Sequence, residues 1–163
     1  MGIDILKIIS HRGNLQGPKT CDENSLDAIH YAIEKGFEVE IDIRYLNGAF
    51  FLGHDDASYK ISIDQLTPIK DRLWVHCKNF AALDELYGSD FNYFFHHGDD
   101  HTLTSKGYIW TFPGKDLGKN NILVMPEYAM SLDDIFKLNA WGICSDYALV
   151  IRESHLLDQR FSI

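Results

Sequence analysis

Glu40 and Asp42 sit two positions apart in the run Phe37–Arg44, where apolar and polar residues alternate. On a strand, such residues face the same way, about 6–7 Å apart along the chain. Two carboxylates so placed make a hard-oxygen site suited to Mg2+ or Ca2+. The same alternation also describes a strand with one solvated face, and Glu38 on the polar side fits that simpler picture. A second group, His11-Arg12-Gly13, directly follows the short apolar run Leu6–Ile9. There an imidazole can move protons, a guanidinium can fork onto phosphate oxygens, and a glycine admits close backbone approach. His54-Asp55 lies just downstream of the carboxylate strand, and His76-Cys77-Lys78 closes another apolar run.

These residue types suit attack on a phosphodiester. The monoanion repels an incoming nucleophile, so a divalent cation, helped by Arg12 and Lys78, has to neutralise the developing charge. Of two histidines, one takes a proton from the attacking hydroxyl and the other returns one to the leaving alkoxide. Each transfer is worth roughly 10²–10⁴-fold. Weaker candidates are the polar run His96-His97-Gly98-Asp99-Asp100-His101, Trp110 at a strand end, and Glu23 ahead of a helix. His30 and His155 fall in helical segments and read as structural or exposed.

The elements that must position these groups alternate in type. Strands are predicted at Leu6–Ile9, Phe37–Arg44, Ala49–Leu52, Leu73–Cys77, Asn92–Phe95, Tyr108–Phe112, Ile122–Met125 and Gly142–Cys144. Helices are predicted from Asn24 or Ser25 to about Lys35, over Ala81–Leu86, from Ser131 to about Leu138, and over Leu149–Asp158. Asn47-Gly48 is a hairpin turn. The pattern is α/β with a mainly parallel sheet and one inserted β-hairpin, and polar residues recur just after the strands. A βα barrel of the TIM type usually takes about 250 residues. With 163 residues, some crossover helices have to be missing, and segments 96–107 and 112–121 read as loops in their place.

The order His-Arg-Gly, Glu23-Asn24 opening a helix, Glu40-x-Asp42, Asn-Gly turn and His54-Asp55 resembles the glycerophosphodiester phosphodiesterase family over residues 8–56. It continues more thinly to Lys78, Trp110-Thr111 and Gly142-Ile143-Cys144-Ser145-Asp146-Tyr147. The resemblance implies a shortened TIM-type βα barrel and a divalent metal ion. It also implies hydrolysis of a glycerophosphodiester to glycerol phosphate and an alcohol. His11 and His54 fall on the catalytic pair, Arg12 on the phosphate-binding arginine, and Glu40 and Asp42 on two metal ligands. Lys78 matches a lysine that follows a third acidic ligand by two positions, and His76 occupies that ligand's place. With His76 as a ligand, Mn2+ joins Mg2+ and Ca2+ as a candidate, because imidazole suits borderline ions. If His76 is not a ligand, Asp99, Asp100 or Glu127 has to substitute. Glu23, Asp55 and Trp110 complete the expected pocket. Alternatives are a phospholipase D-like lyase that releases a cyclic phosphate, and a catalytically idle barrel that binds a phosphorylated metabolite.

Composition limits the partners. Residues 1–163 form a single domain, and 15 Lys and Arg against 24 Asp and Glu give a net charge of −9. That excludes a general nucleic-acid binder, which needs massed positive charge. No apolar run reaches the ~18 residues that span a membrane. Met1-Gly2-Ile3-Asp4 lacks the basic and apolar regions of a secretory signal, so a cytoplasmic protein is expected. Three scattered cysteines make no disulfide framework, and each reads as a small buried hydrophobe. A barrel short of helices exposes apolar strand surface, which a homodimer would cover.

Overall fold

The computed structural model describes residues 6–19 and 21–161, with side chains to residue 156. The Met1–Asp4 segment lies outside the described residues. Ten strands and five α-helices follow in chain order. They begin with β1 (Lys7–His11), α1 (Leu26–Glu34), β2 (Glu38–Leu46), β3 (Ala49–Leu52) and β4 (Tyr59–Ile61). Next come α2 (Ile63–Leu66), β5 (Leu73–Cys77), α3 (Phe80–Leu86), β6 (Asn92–Phe94) and β7 (His101–Leu103). The chain ends with β8 (Ile109–Thr111), β9 (Asn121–Val124), α4 (Leu132–Ile135), β10 (Gly142–Ser145) and α5 (Ala148–Phe161).

Eight strands form one curled sheet in the order β6-β5-β2-β1-β10-β9-β8-β7. All neighbours pair in parallel except β7, which runs antiparallel to β8. The hairpin strands β3 and β4 extend β2 beyond the end of β1, and the Asn47-Gly48 turn has positive φ at both residues (50° and 79°). The end strands β6 and β7 share no ladder. Residues in and beside them are tied instead by Ser105 N–H to Tyr93 O (2.8 Å), Tyr93 N–H to Ser105 Oγ (3.0 Å) and Thr102 Oγ1 to Phe95 O (3.1 Å). The sheet therefore curls until its edges meet, without closing into the continuous barrel ladder that the sequence suggested.

The expected inserted hairpin and shortened crossovers are present. Among the described residues no helix lies between β6 and β8 or between β8 and β9, and segment 112–120 is loop. Segment 96–107 differs from the expectation because it carries β7. Strand β4 and helix α2 are also additions, and the helix expected from Ser131 to Leu138 is one turn, Leu132–Ile135, capped by Ser131. These are three- and four-residue elements, too short for a period to register in sequence.

Two apolar layers hold the sheet. Outside, Val39, Ile41 and Ile43 of β2 pack with Ile29 and Ala32 of α1 and Ala82 of α3. Inside the curl, Ile9, Trp74, Phe94, Trp110, Ile122 and Cys144 form a second cluster. Cys77 and Cys144 are buried as expected, whereas Cys21 is exposed. Among the described residues no helix is long and apolar enough to cross a membrane.

Candidate active site

Side chains two positions apart on a strand share a face, and the curl turns one face inward. Strand after strand therefore places an apolar residue in the inner cluster and a polar one a step nearer the strand end. Ile9 leads to His11, Trp74 to His76, Phe94 to His96 and Cys144 to Asp146. On β2 the first three residues of the inward series are acidic: Glu38, Glu40, Asp42. Its polar face is thus not solvated, since Glu40 and Asp42 are 2% and 1% exposed.

The groups converge on a cavity of about 370 Å³ at the carboxyl ends of the strands, lined by His11, Arg12, Glu40, His54, His76 and Lys78. His96, His97, Asp99, Trp110, Phe112, Val124 and Met125 complete the wall. A cavity of about 340 Å³ at the opposite end, around Trp74 and Trp141, is lined by Glu38, Lys70, Asp71, Asp90 and Lys106 but by no histidine among the described residues.

His11 is braced by Asp146, with Nδ1 2.7 Å from Asp146 Oδ1, and Asn14 Nδ2 donates to the same oxygen at 2.9 Å. Nδ1–H donating to the carboxylate leaves Nε2 as the working nitrogen, 3.8 Å from Glu40 Oε2. Burial opposes charge on His11, but the Asp146 hydrogen bond and the Glu40 charge outweigh it and raise the imidazole pKa. The same pairing holds the Asp146 carboxyl below its ordinary value against its own burial.

Arg12 and Gly13 turn the chain through left-handed backbone, with φ of 55° and 83°. At Gly13 a Cβ would stand 2.9 Å from the backbone of Ala28, so this glycine admits helix α1. The guanidinium donates to Glu23 Oε1 at 3.0 Å and to His54 Nδ1 at 2.6 Å. Its Nε is 2.9 Å from Asp42 Oδ2, off the line of a hydrogen bond. His54 Nδ1 also lies 3.3 Å from Asp42 Oδ2 and 3.4 Å from Lys78 Nζ. Arg44 holds the loop by donating to the backbone carbonyls of His54 and Asp55.

Asp42 and Glu40 respond in opposite directions. Burial works against the Asp42 charge, but His54, His76 and Arg12 overcome it and hold the carboxyl well below the usual range. Glu40, buried beside that charge, is pushed up to about 7. Without a further cation Glu40 therefore keeps its proton well above the pH at which an ordinary carboxyl loses it.

A metal would change this, and the residues fit one. One donor atom each from Glu40, Asp42 and His76 lie within 4.8 Å of one another. Glu40 Oε2 and Asp42 Oδ1 are buried and accept no hydrogen bond among the described residues. His76 Nδ1 is 3.2 Å from Asp42 Oδ1, again off hydrogen-bond alignment. Asp99 and Asp100 are exposed, and Glu127 is engaged by Ser145 Oγ (2.7 Å) and the Asp146 N–H (3.1 Å), so His76 is the third donor nearest the pair.

Two expected pocket residues do not line the cavity. Glu23 faces away from it and braces Arg12 and Asn14, while the Asp55 side chain is 91% exposed. Trp110 does line it, and also belongs to the inner core. Three residues were not singled out for the site: Asp146, Asn24 and Arg44. Of the two helix caps the sequence offers, Asn24 and Ser25, Ser25 takes the role. Asn24 instead adopts φ 62° and clasps Asp42, accepting its backbone N–H (2.8 Å) and donating to Oδ2 (3.1 Å).

Asn24→Ala is expected to cost about 2–3 kcal/mol, because hydrogen bonds to a charged group are lost and a buried N–H is left unpaired. Asn24→Gly keeps the left-handed backbone without strain and isolates the hydrogen-bond share. Urea midpoints check both, and a pair of variants as stable as the parent would mean that the clasp contributes nothing.

No family model matches the chain, and no curated protein or solved structure shows significant similarity to it.

Proposed function

We propose that this chain is a metal-dependent phosphodiesterase of the glycerophosphodiester type, built on a reduced TIM-type βα barrel. The observation that supports this most is the meeting of two histidines, an arginine and a buried carboxylate pair at one mouth. His11 is braced by Asp146, and His54 touches Arg12. Glu40, Asp42 and His76 would hold the divalent cation. When bound, the ion neutralises charge that develops on the phosphoryl oxygens.

The chain's own residues supply the rest. Arg12, held by Glu23, and Lys78 present the donors that bind a phosphodiester anion. His11 works through Nε2, since Nδ1 is committed to Asp146. His11 and His54 form the acid–base pair: one accepts the proton of the attacking hydroxyl as its oxygen bonds to phosphorus. The other protonates the alkoxide as the bond to the leaving alcohol breaks. Attack by a neighbouring substrate hydroxyl gives a cyclic phosphate, which water then opens to the monoester.

Phosphorus NMR of glycerophosphocholine and related diesters, incubated with the protein and Mg2+, Ca2+ or Mn2+, tests the reading. EDTA and His11→Ala serve as controls. A phosphomonoester signal is the expected result. A cyclic phosphate alone would mean that the reaction stops at transfer. No change with any ion or diester would overturn the activity and leave a binding barrel.

A further inference from the structure

Which ion the site takes depends on its third donor, and this chain presents an imidazole there. His76 Nδ1 lies 3.2 Å from Asp42 Oδ1 and 3.8 Å from Glu40 Oε1. Two donors that share an ion at about 2.0–2.1 Å are roughly 2.8–3.4 Å apart at octahedral or tetrahedral angles. The imidazole nitrogen is thus at ligand spacing from Asp42 and a few tenths of an ångström beyond it from Glu40.

The surroundings are built for a ring. Phe94 and His96, alternate residues at the end of β6, lie parallel within 4°. The His76 ring is parallel to both, at 10° to Phe94 with centroids 4.9 Å apart and at 7° to His96 with centroids 4.5 Å apart. A carboxylate has no comparable faces to lay against these rings. His76 Nε2 has no hydrogen-bond partner among the described residues, so the stack sets the ring plane and aims Nδ1. Ring-binding ligands are more often oriented by a hydrogen bond to the other nitrogen.

We propose that the site selects a borderline first-row ion, Mn2+ through Zn2+, over Mg2+ and Ca2+, with His76 Nδ1 as the selecting donor. The inference rests on the metal reading of the proposed function. A neutral nitrogen in place of an anionic oxygen removes charge on which Mg2+ and Ca2+ depend. It adds a ligand from which the later ions gain. The ring stack makes this a feature of the fold, shared between β5 and β6.

Mn2+ and Co2+ are the probes, with no substrate present. Pulsed electron paramagnetic resonance of the Mn2+ complex is expected to show coupling to a directly bound nitrogen-14. That coupling should vanish in His76→Gln and His76→Glu. Titrations followed by Co2+ absorption, with Mg2+ or Ca2+ as competitor, should show His76→Glu shifting the preference toward Mg2+ and Ca2+ by about tenfold or more. Mn2+ bound without nitrogen coupling would overturn the inference and leave the carboxylate metal site standing. Coupling that persists in His76→Gln would overturn it too, since another histidine would be the donor. No binding of either probe would overturn the metal reading with it. If those variants do not fold, His11→Asn, His54→Asn and His96→Asn take their place: the coupling should survive all three, and its loss in any of them would overturn the inference.

Discussion

In EDTA at pH 8, Glu40→Gln is expected to melt several degrees above the parent chain, and its midpoint should no longer respond to divalent ions. The Glu40 carboxyl is raised from 4.5 to about 7 by burial and by the Asp42 charge. A raised carboxyl contributes stability below its unfolded value and loses it as pH rises through the folded one. Above pH 7 the parent therefore bears a buried charge that a neutral amide of the same shape avoids. The gap should open between pH 4.5 and 7 and nearly vanish at the acid end, where both side chains are uncharged. Its size is of order a few kcal/mol, which moves the midpoint of a domain this long by several degrees. Loss of stability in Glu40→Gln at pH 8 would show that the charge is already compensated within the chain. The prediction makes Glu40 a cost to the fold that is useful only when an ion is bound, a common trade at functional sites.

Asp146→Asn is expected to lower diester turnover by about 10²–10⁴-fold, the range of a lost acid–base function. The carboxylate fixes the proton on His11 Nδ1, and an amide in its place can present either an acceptor or a donor to that nitrogen. The chain should remain folded, since Asn14 can still donate to the side-chain oxygen at position 146. Removing the negative charge also lowers the His11 pKa, so the limb of the pH–rate profile that belongs to His11 should move to lower pH. Phosphorus NMR rates across pH 5–9, with circular dichroism for folding, measure both effects. Turnover within twofold of the parent would remove Asp146 from the machinery.

The strand positions and the main site residues were legible because they obey simple periods. Ala49–Leu52 and Leu73–Cys77 stand where alternation and the turn signal put them. The acidic face of β2 was legible as a pair of carboxylates but not as an interior. Only the curl of the sheet decides which face is inside, and alternating polarity normally places the polar face in water. Asn24 was hidden for a related reason, since its partner Asp42 is 18 positions away and its own neighbourhood reads as a helix start. His96 was legible only weakly, as one member of a polar run. Ile9-x-His11, Trp74-x-His76 and Phe94-x-His96 repeat one spacing, an inner apolar residue followed by a site histidine. A polar run of loop type around it drowned that signal. Strand β7 carried none, because three residues between exposed polar segments have no period to read.

The meeting of the sheet edges near Tyr93 and Ser105 has a consequence for how this molecule can change over generations. Every group assigned a chemical task stands on or directly after β1, β2, β3, β5 or β10, while the facing wall of the cavity, from His96 through Trp110 and Phe112 to Met125, belongs to the strands beside the join. Among the described residues that second half has no helix between β6 and β8 or between β8 and β9. Chemistry and recognition thus occupy largely separate arcs, joined where the His76 ring lies against Phe94 and His96. Insertions, deletions or grafted loops between residues 96 and 120 can diversify what the mouth admits, while the reacting residues keep their registers on the other arc.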